Sequence, residues 1–270
     1  MTREEFNAKA DAIGAGIAGN QHHGYFQYHR TRLYETCAQF HLLERDLGNV
    51  LDLGPFYSYT PLMLRERAGA YCVVEGDETA CEVLKPAYAA NRVEAQWLDL
   101  FSLFGPERGA TFRLPYEADY FQTVLCFETL EHFNFNPVPF VRELWRVTKP
   151  GGRLHFTVPN RASGEAIFAL FTGRNQVQAI DAYFKFADAE VNGRRVFYGF
   201  HWREYTLREL SRLFSQAGFT IVEQGWQMNF QDEAGLSLLR RVARGVLRAM
   251  CWVRPSFGKN CYVVAEKPKG

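Results

Sequence analysis

The sequence predicts an α/β fold: a doubly wound, mostly parallel seven-stranded sheet with helices on both faces. Two observations predict it. Short apolar runs alternate with helix-forming segments over residues 48–160, and each connection is long enough for a crossover helix. The first run, residues 50–54 (Val-Leu-Asp-Leu-Gly), ends in a glycine, and Thr60-Pro61 then offers a hydroxyl N-cap and a proline at the first helical position. Ligands of such sheets bind at the carboxyl ends of the strands, beside this kind of turn.

The composition places the chain among ordinary globular proteins. It has 270 residues, of which 47% are hydrophobic and 23% charged, and its net charge of +1 gives no global reason to expect nucleic-acid binding. No apolar run approaches the roughly 18 residues that span a bilayer, and the N-terminus lacks a signal-peptide core. The six cysteines are scattered and several lie in apolar runs, which predicts reduced core residues, a cytoplasmic protein and no structural zinc site.

Residues 1–47 are predicted to be an N-terminal helical segment preceding a domain of residues 48–270. Within the segment, residues 22–30 are dense in aromatic and imidazole side chains. Two interpretations stay open. The helix packs on the domain through its aromatic face, or it forms a lid over the cofactor or substrate.

Further strands and helices follow the first strand in the expected order. Asp77 is predicted to cap a helix that Pro86 bends or ends, and Asn136-Pro137 is predicted to begin another. Thr206 and Glu209 form a capping-box pair before the next helix. The remaining strands are predicted at residues 71–74, 96–100, 121–127, 154–158, 219–222 and 261–265.

Two segments depart from this alternation. Residues 160–205 are long and aromatic, which is typical of a functional insertion that covers a substrate. Residues 232–254 are predicted to form a basic amphipathic helix whose arginines meet an anionic substrate, a membrane surface or only solvent. Those arginines are Arg240, Arg241, Arg244 and Arg248.

Acidic side chains lie at three successive predicted strands. Asp52 is inside the first, Glu75 ends the second and Asp99 is at the third. A carboxylate at the end of the second strand is well placed to accept both hydroxyls of a ribose, and Asp99 could accept from an adenine amino group. Any one of these acids could instead be a helix cap, so their order along one sheet is the stronger signal.

Five motifs occur in an order that resembles a known family, the class I S-adenosylmethionine-dependent methyltransferases. The motifs are residues 50–54, Val74-Glu75, Leu98-Asp99, residues 127–132 (Phe-Glu-Thr-Leu-Glu-His) and residues 144–152, which end in Lys-Pro-Gly-Gly. The last two are similar to those of small-molecule and quinone O-methyltransferases. Residues 201–206 (His-Trp-Arg-Glu-Tyr-Thr) resemble the later part of sugar and polysaccharide methyltransferases, a less specific match.

The resemblance implies a Rossmann-like methyltransferase fold, S-adenosyl-L-methionine as cofactor and a role for each matched residue. The expected cofactor-binding residues are Asp52 and Gly54 along the methionine part, Glu75 and Gly76 at the ribose, Asp99 and Leu100 beside the adenine, and Phe127 and Glu128 after the fourth strand. One departure stands out: the family has Gly-x-Gly after the first strand, whereas this chain has Gly54-Pro55-Phe56. The loop therefore takes another path, or it binds the cofactor more weakly.

Methyl transfer from a sulfonium is an in-line displacement, and an alcohol acceptor also needs a base for its proton. The candidate bases are His132 and His201, with His29 and Glu131 behind them. The candidate substrate-binding residues are Tyr25, His29, Arg203 and Tyr205. Each histidine has a structural alternative, such as a local hydrogen bond or an anchor for its loop.

The expected acceptor is a small molecule or saccharide, with a lipid-linked group as one alternative, and the oligomeric state is open. The sequence disfavours three rival functions. A nicotinamide dehydrogenase would carry Gly-x-Gly-x-x-Gly after the first strand, which this chain lacks. A nucleic-acid methyltransferase is disfavoured by the charge balance. A non-catalytic protein that binds S-adenosylmethionine is suggested only by the altered turn.

Overall fold

Seven strands form one sheet in the order β3-β2-β1-β4-β5-β7-β6 in the part of the chain that the structure describes. The structure is a computed structural model, and it describes residues 1–17, 23–98, 100, 112–174, 181, 184, 190–191, 194–195, 200–228 and 238–269. The strands are β1 (Gly48–Leu53), β2 (Ala68–Glu75), β3 (Val93–Trp97), β4 (Phe121–Phe127), β5 (Thr148–Pro159), β6 (Thr220–Gln227) and β7 (Asn260–Glu266).

The first five strands are parallel, whereas β7 pairs antiparallel with both β5 and β6. The strand order reverses beside β1, so β2 lies on one side of it and β4 on the other. In this register Asp52 lies between Val73 of β2 and Leu125 of β4. The prediction of a doubly wound, mostly parallel seven-stranded sheet is confirmed. A separate two-residue ladder joins Glu190–Val191 to Arg194–Arg195.

Helices connect the strands and cover both faces of the sheet. They are α1 (Arg3–Gly16), α2 (His23–Gln39), α3 (Thr60–Leu64), α4 (Glu78–Ala90), α5 (Pro137–Val147), α6 (Gly164–Phe171), α7 (Leu207–Gln216) and α8 (Leu238–Val253). Short 3-10 turns occur at Phe56–Ser58, Arg65–Arg67, Leu130–His132 and Pro255–Phe257.

Two buried clusters lie on the two faces of the sheet, because side chains alternate along each strand. One cluster joins the strands to α5 and α7, and Phe140, Leu144 and Val147 form its predicted α5 stripe with no exposed area. The other joins the opposite face to α1, α2 and α4, where Phe6 and Phe26 are fully buried. The six cysteines are free and buried, as predicted.

Several predicted helix starts are confirmed at the level of their caps. Asp77 accepts a hydrogen bond from the Ala80 N–H at 2.6 Å, and Asn136 caps α5. Thr206 and Glu209 form the predicted capping box at the start of α7. These caps depend only on neighbours within three residues, so the local sequence was sufficient to predict them.

Other local predictions were wrong where tertiary contacts overrode the local pattern. Thr60 does not cap α3, because its hydroxyl donates to the buried Asp52 carboxylate at 3.3 Å instead. Of the two alternatives for Pro86, an end to α4 is excluded because the helix continues to Ala90, and a bend stays a prediction. Residues 149–152, the Lys-Pro-Gly-Gly end of the fifth motif, are part of β5. The third strand is Val93–Trp97 rather than residues 96–100.

Some predictions fall on residues outside the described part. Asp99 is one of them, as are residues 232–237 of the predicted basic helix and much of the 160–205 insertion. The described part of that helix is α8, which begins at Leu238. Strand β1 begins directly after residue 47, where the domain boundary was predicted. That boundary stays a prediction.

Candidate functional site

The turn after β1 lies at the carboxyl edge of the sheet and brings β1, β2 and β4 together. Gly54 has a φ of +63°, and its N–H donates to the Val74 carbonyl at 2.8 Å. A side chain at this position would place its Cβ 2.6 Å from the Thr129 Cγ2 atom, just beyond β4. Glycine is therefore required here both by its backbone conformation and by this close approach.

Glu75, at the end of β2, carries a carboxylate that the protein only partly satisfies. The side chain is 1% exposed, and its Oε2 atom accepts a hydrogen bond from the Phe56 N–H at 3.3 Å. Its Oε1 atom has no hydrogen-bond partner among the described residues. Burial raises the pKa of Glu75 well above its ordinary value. A buried acceptor left open at this edge fits the ribose hydroxyls of an adenosyl group.

Asp52 has a more structural setting than the sequence suggested. It is 1% exposed, and its Oδ2 atom accepts hydrogen bonds from the Tyr71 hydroxyl at 2.9 Å and from the Thr60 hydroxyl. Burial raises the pKa of Asp52 to about 7, although both hydrogen bonds act in the opposite direction. Asp52 therefore ties β1 to β2 and α3, and its contact with the methionine part of a cofactor stays a prediction.

The other residues predicted to bind the cofactor are spread along the same edge. Gly76 is buried at the bend after β2, and Leu100 is fully buried in the core. Phe127 ends β4, and its ring stacks on Phe40 with centroids 5.8 Å apart. Glu128 follows with a φ of +54°. Asp99 lies outside the described residues.

Helix α2 forms one wall of this edge through a chain of contacts. The Tyr25 ring meets the Phe56 ring edge-on at 4.9 Å, and Arg32 lies 3.3 Å from the Glu128 carboxylate. Tyr25 and Arg32 also share a hydrogen bond, and burial raises the pKa of the tyrosine. Sequence reasoning missed Arg32, because nothing in the local pattern shows that a helix before the sheet reaches the loop after β4.

The segment after β4 is fastened to the turn after β1. The Thr129 hydroxyl lies 3.2 Å from the Leu53 carbonyl oxygen and 3.4 Å from that of Gly54, so it donates to this stretch of backbone. The 3-10 turn Leu130–His132 follows at once. The candidate bases are therefore built onto the same edge as Glu75.

Glu131, His132 and His201 come together at this place, although 69 residues separate the two histidines. The Nε2 atoms of both histidines lie 4.0 Å from the Glu131 Oε1 atom, and the two rings meet edge-on with centroids 4.9 Å apart. Backbone hydrogen bonds hold the two segments together, since the N–H groups of Trp202 and Arg203 both donate to the Glu131 carbonyl. Sequence reasoning named the three residues one by one as candidate bases and did not predict that they form a cluster.

Each imidazole is oriented by a hydrogen bond at its Nδ1 atom. His132 Nδ1 lies 3.0 Å from the Phe200 carbonyl oxygen, and His201 Nδ1 lies 3.1 Å from a Glu204 carboxylate oxygen. Both partners are acceptors, so each Nδ1 carries a proton, and the Nε2 atom of each ring faces Glu131. Burial, with the neighbouring His201, lowers the pKa of His132 to about 4. Burial also raises the pKa of Glu131 well above its ordinary value.

The predicted substrate-binding residues divide into two groups. Tyr25 and His29 pack together on α2 with ring centroids 4.5 Å apart, and burial, with Arg32 nearby, lowers the pKa of His29 to about 3. Arg203 is half-exposed and pairs with Glu209 at 3.1 Å, whereas Tyr205 is 3% exposed in the core. These contacts give Arg203 and Tyr205 a structural role at the start of α7. Substrate binding by all four residues stays a prediction.

The sequence matches the family model of a methyltransferase domain over residues 26–224. This match covers most of the chain, so the chain belongs to that methyltransferase family. It begins within α2 and ends within β6, so it includes the Glu75 edge and the histidine cluster. No curated protein is significantly similar to the chain in sequence.

Solved structures of methyltransferases share the fold. A chain of the complex between the Haloferax volcanii Trm112 methyltransferase activator and a methyltransferase is similar with a TM-score of 0.59 and 16% identity, over 96% of this chain and 98% of that one. An S-adenosylmethionine-dependent methyltransferase of Mesorhizobium loti has a TM-score of 0.54 and 15% identity, over 85% and 95%. One from Thermotoga maritima has a TM-score of 0.53 and 17% identity, over 92% and 95%.

The protein is therefore an S-adenosylmethionine-dependent methyltransferase with the class I fold. The resemblance drawn from the motifs is confirmed at that level, despite the single glycine in the turn after β1. The open Oε1 atom of Glu75 fits the cofactor. Among the described residues, no helix is long and apolar enough to cross a membrane.

Proposed function

We propose that the protein transfers the methyl group to a hydroxyl oxygen of a small-molecule or saccharide acceptor. The observation that supports this proposal is the cluster of Glu131, His132 and His201 beside the turn after β1. An alcohol oxygen is a weak nucleophile until it loses its proton, and this cluster presents two imidazole nitrogens and a carboxylate that can receive it. An amine acceptor, which is already nucleophilic when neutral, has less need of such a group.

The residues of the chain supply binding, orientation and proton handling. Bound S-adenosylmethionine provides a methyl group on a positively charged sulfur, which needs no activation by the protein. Glu75 would hold the cofactor by accepting hydrogen bonds from the ribose hydroxyls at its open Oε1 atom. Burial lowers the pKa of His132 to about 4, so this imidazole is neutral near pH 7. The Nε2 atoms of His132 and His201 both face Glu131, where the proton would be received. Alignment of the acceptor oxygen with the methyl group supplies much of the remaining acceleration.

We propose further that the acceptor is presented at a membrane surface. Near the C-terminus, α8 exposes Trp252 and Val253, which are 82% and 77% exposed, and the neighbouring α6 exposes Phe171 at 84%. We call these residues, with Phe168, the apolar rim. Arg241 and Arg254 are exposed on the same part of the chain. Apolar side chains next to arginines suit the headgroup region of an anionic bilayer, where a lipid-linked acceptor would be found.

The experiment that tests the proposed function is a screen for the gain of one methyl group by mass spectrometry. The purified chain and S-adenosylmethionine are incubated with phenols and catechols, free sugars, and lipid-linked forms of both. We expect a methyl ether from one of these classes, and we expect His201→Ala to lose turnover while it still binds S-adenosylhomocysteine. Methylation of amines alone, or full turnover in both His132→Ala and His201→Ala, would contradict the proposal.

A further inference from the structure

We propose that Glu131, His132 and His201 form a binding site for a divalent transition metal ion such as Zn²⁺. One carboxylate oxygen and one nitrogen from each histidine lie within 4.8 Å of one another. Two imidazoles and one carboxylate form a donor set that binds zinc and related ions and leaves positions open for substrate. The inference rests on the proposed function and specifies how the acceptor hydroxyl is activated there. Sequence analysis expected no metal site.

The buried carboxylate is the first argument. Glu131 is 1% exposed, and neither of its side-chain oxygens has a hydrogen-bond partner among the described residues. A carboxylate without a partner is costly to bury, because it loses its hydration and gains nothing in return. Glu131 lies between the Nε2 atoms of two histidines at 4.0 Å from each, which is the arrangement of ligands around a small cation.

The orientation of the two imidazoles is the second argument. A metal-binding histidine commonly donates its other N–H to a carbonyl or carboxylate, which fixes the ring and raises its basicity. His132 has this arrangement with the Phe200 carbonyl oxygen, and His201 has it with the Glu204 carboxylate. Both Nε2 lone pairs are thereby directed at the place where Glu131 is open.

The charge balance is the third argument. Glu128, Glu131 and Glu204 interact with one another at this place, and Arg32 is the cation beside them. Acidic side chains therefore outnumber the guanidinium at this place, and a dication would balance that excess.

The distances allow binding with a small adjustment. Ligands about 2.05 Å from a tetrahedral zinc ion lie roughly 3.3 Å apart, so the two 4.0 Å separations must close by about 0.7 Å. The two histidine nitrogens, at most 4.8 Å apart, must close by at most about 1.5 Å. Small side-chain torsions of Glu131 and His201 would close these distances, because His201 is partly exposed. The two flanking segments need not move, since backbone hydrogen bonds already hold them together.

The bound ion would activate the acceptor directly. A hydroxyl oxygen of the acceptor occupies an open position on the metal, which lowers the pKa of that hydroxyl as it does for bound water. The proton leaves to water. The metal-bound oxygen then forms its bond to the methyl carbon while the carbon–sulfur bond breaks, giving a methyl ether and S-adenosylhomocysteine. Coordination of the hydroxyl to the ion would thus take the place of proton transfer to an imidazole that holds no metal. A chelator distinguishes the two routes, because it stops only the one that needs the metal.

Metal binding is tested without any acceptor. Untagged protein is freed of metal with a chelator and titrated with Co²⁺, followed by its visible absorption, and then with Zn²⁺ in competition. We expect one ion per chain. Glu131→Gln and His201→Asn should abolish tight binding, and Glu204→Gln should weaken it by about ten- to a hundred-fold because it removes only the partner of a ligand. The matched control is His41→Asn, on an exposed pair in which His41 lies 3.6 Å from Glu44.

The outcomes separate the two proposals. Absence of Co²⁺ and Zn²⁺ binding, or binding unaffected by both Glu131→Gln and His201→Asn, would overturn the metal site, even if a methyl ether is formed. Tight binding lost in those variants supports the site, even if the acceptor proves not to be an alcohol. Once an acceptor is known, chelation should lower turnover at least tenfold and Zn²⁺ should restore it. Binding of S-adenosylhomocysteine by each variant serves as the control for folding.

Discussion

Three buried carboxylates differ in how far the protein satisfies them, and that difference separates structure from function at the level of single residues. Asp52 receives two hydroxyl hydrogen bonds, Glu75 receives one backbone N–H, and Glu131 receives none among the described residues. A native protein retains an open buried acceptor only where something else satisfies it. We therefore propose that Glu75 and Glu131 bind ligands, whereas the contacts that Asp52 makes in the structure are with the fold.

Glu75→Gln should weaken binding of S-adenosylhomocysteine. A charge-assisted hydrogen bond contributes roughly 1.5–3 kcal/mol, so the expected loss of affinity is about ten- to a hundred-fold, measured by calorimetry. Glu82→Gln, on the exposed face of the next helix, is the matched control and should bind normally. Equal affinity in the two variants would remove Glu75 from the cofactor site.

Asp52→Asn should change how stability depends on pH. Burial raises the pKa of Asp52 from 3.8 to about 7, so the folded state favours the protonated form. The stability gained from that proton is complete below pH 3.8 and is lost as the pH rises through about 7. An asparagine carries no titrating proton, so its contribution to stability does not change over this pH range. Relative to the wild type, Asp52→Asn should therefore gain roughly 2 kcal/mol between pH 5 and pH 8.

Urea unfolding at the two pH values measures this change. The comparison uses the difference between the variant and the wild type, because Glu75 and Glu131 also have raised pKa values and contribute to both curves. A difference that stays constant from pH 5 to pH 8 would show that Asp52 has an ordinary pKa in the folded protein.

At the level of elements, α2 is connected to both strand-end loops that form the site. It reaches the turn after β1 through Tyr25 and the loop after β4 through Arg32. The Arg32 and Glu128 side chains are only 14% and 13% exposed, so their ion pair is poorly screened by solvent. The helix thus helps to set the distance between the two loops. Whether it also opens as a lid stays a prediction.

Arg32→Met should destabilise the protein by about 2 kcal/mol or more, because it leaves Glu128 mostly buried without its cation. The double variant Arg32→Met/Glu128→Gln should recover part of that loss, which urea unfolding would measure as a coupling between the two sites. Arg3→Met is the control. It removes an exposed pair with Glu35 and should cost at most about 1 kcal/mol. Additive effects at Arg32 and Glu128 would show that the pair is not coupled.

The elements also show what sequence reasoning can and cannot reach. Caps such as Asp77 and the Thr206–Glu209 box depend on neighbours within one turn, and the apolar periodicity of α5 depends on one face, so both were predictable. The capping role predicted for Thr60 was wrong, because its hydroxyl bonds to Asp52 on another element, which the local pattern does not show. His132 and His201 were both named, but their meeting depends on the packing of two distant segments, which no local pattern records.

For the whole molecule, the two cores leave one functional edge and one separate apolar surface. The clusters on the two faces of the sheet hold the strands in register, so the loops at the carboxyl ends of β1, β2 and β4 converge. The exposed side chains of the apolar rim, on α6 and α8, belong to neither buried cluster. Solvent-facing aromatic side chains on two touching helices are costly in water, which favours a surface that covers them.

The rim and its arginines predict binding to vesicles that contain anionic lipid. Sedimentation should show binding that falls as salt is raised, because the arginines contribute through charge, and the tryptophan fluorescence should shift to the blue as Trp252 enters the interface. Trp252→Ser combined with Phe171→Ser should weaken binding tenfold or more, since it removes the buried apolar area. Tyr28→Ser changes another exposed aromatic side chain, on α2, and is the matched control. No binding to either kind of vesicle would contradict the membrane proposal, and equal binding to neutral and anionic vesicles would show that the arginines do not contribute.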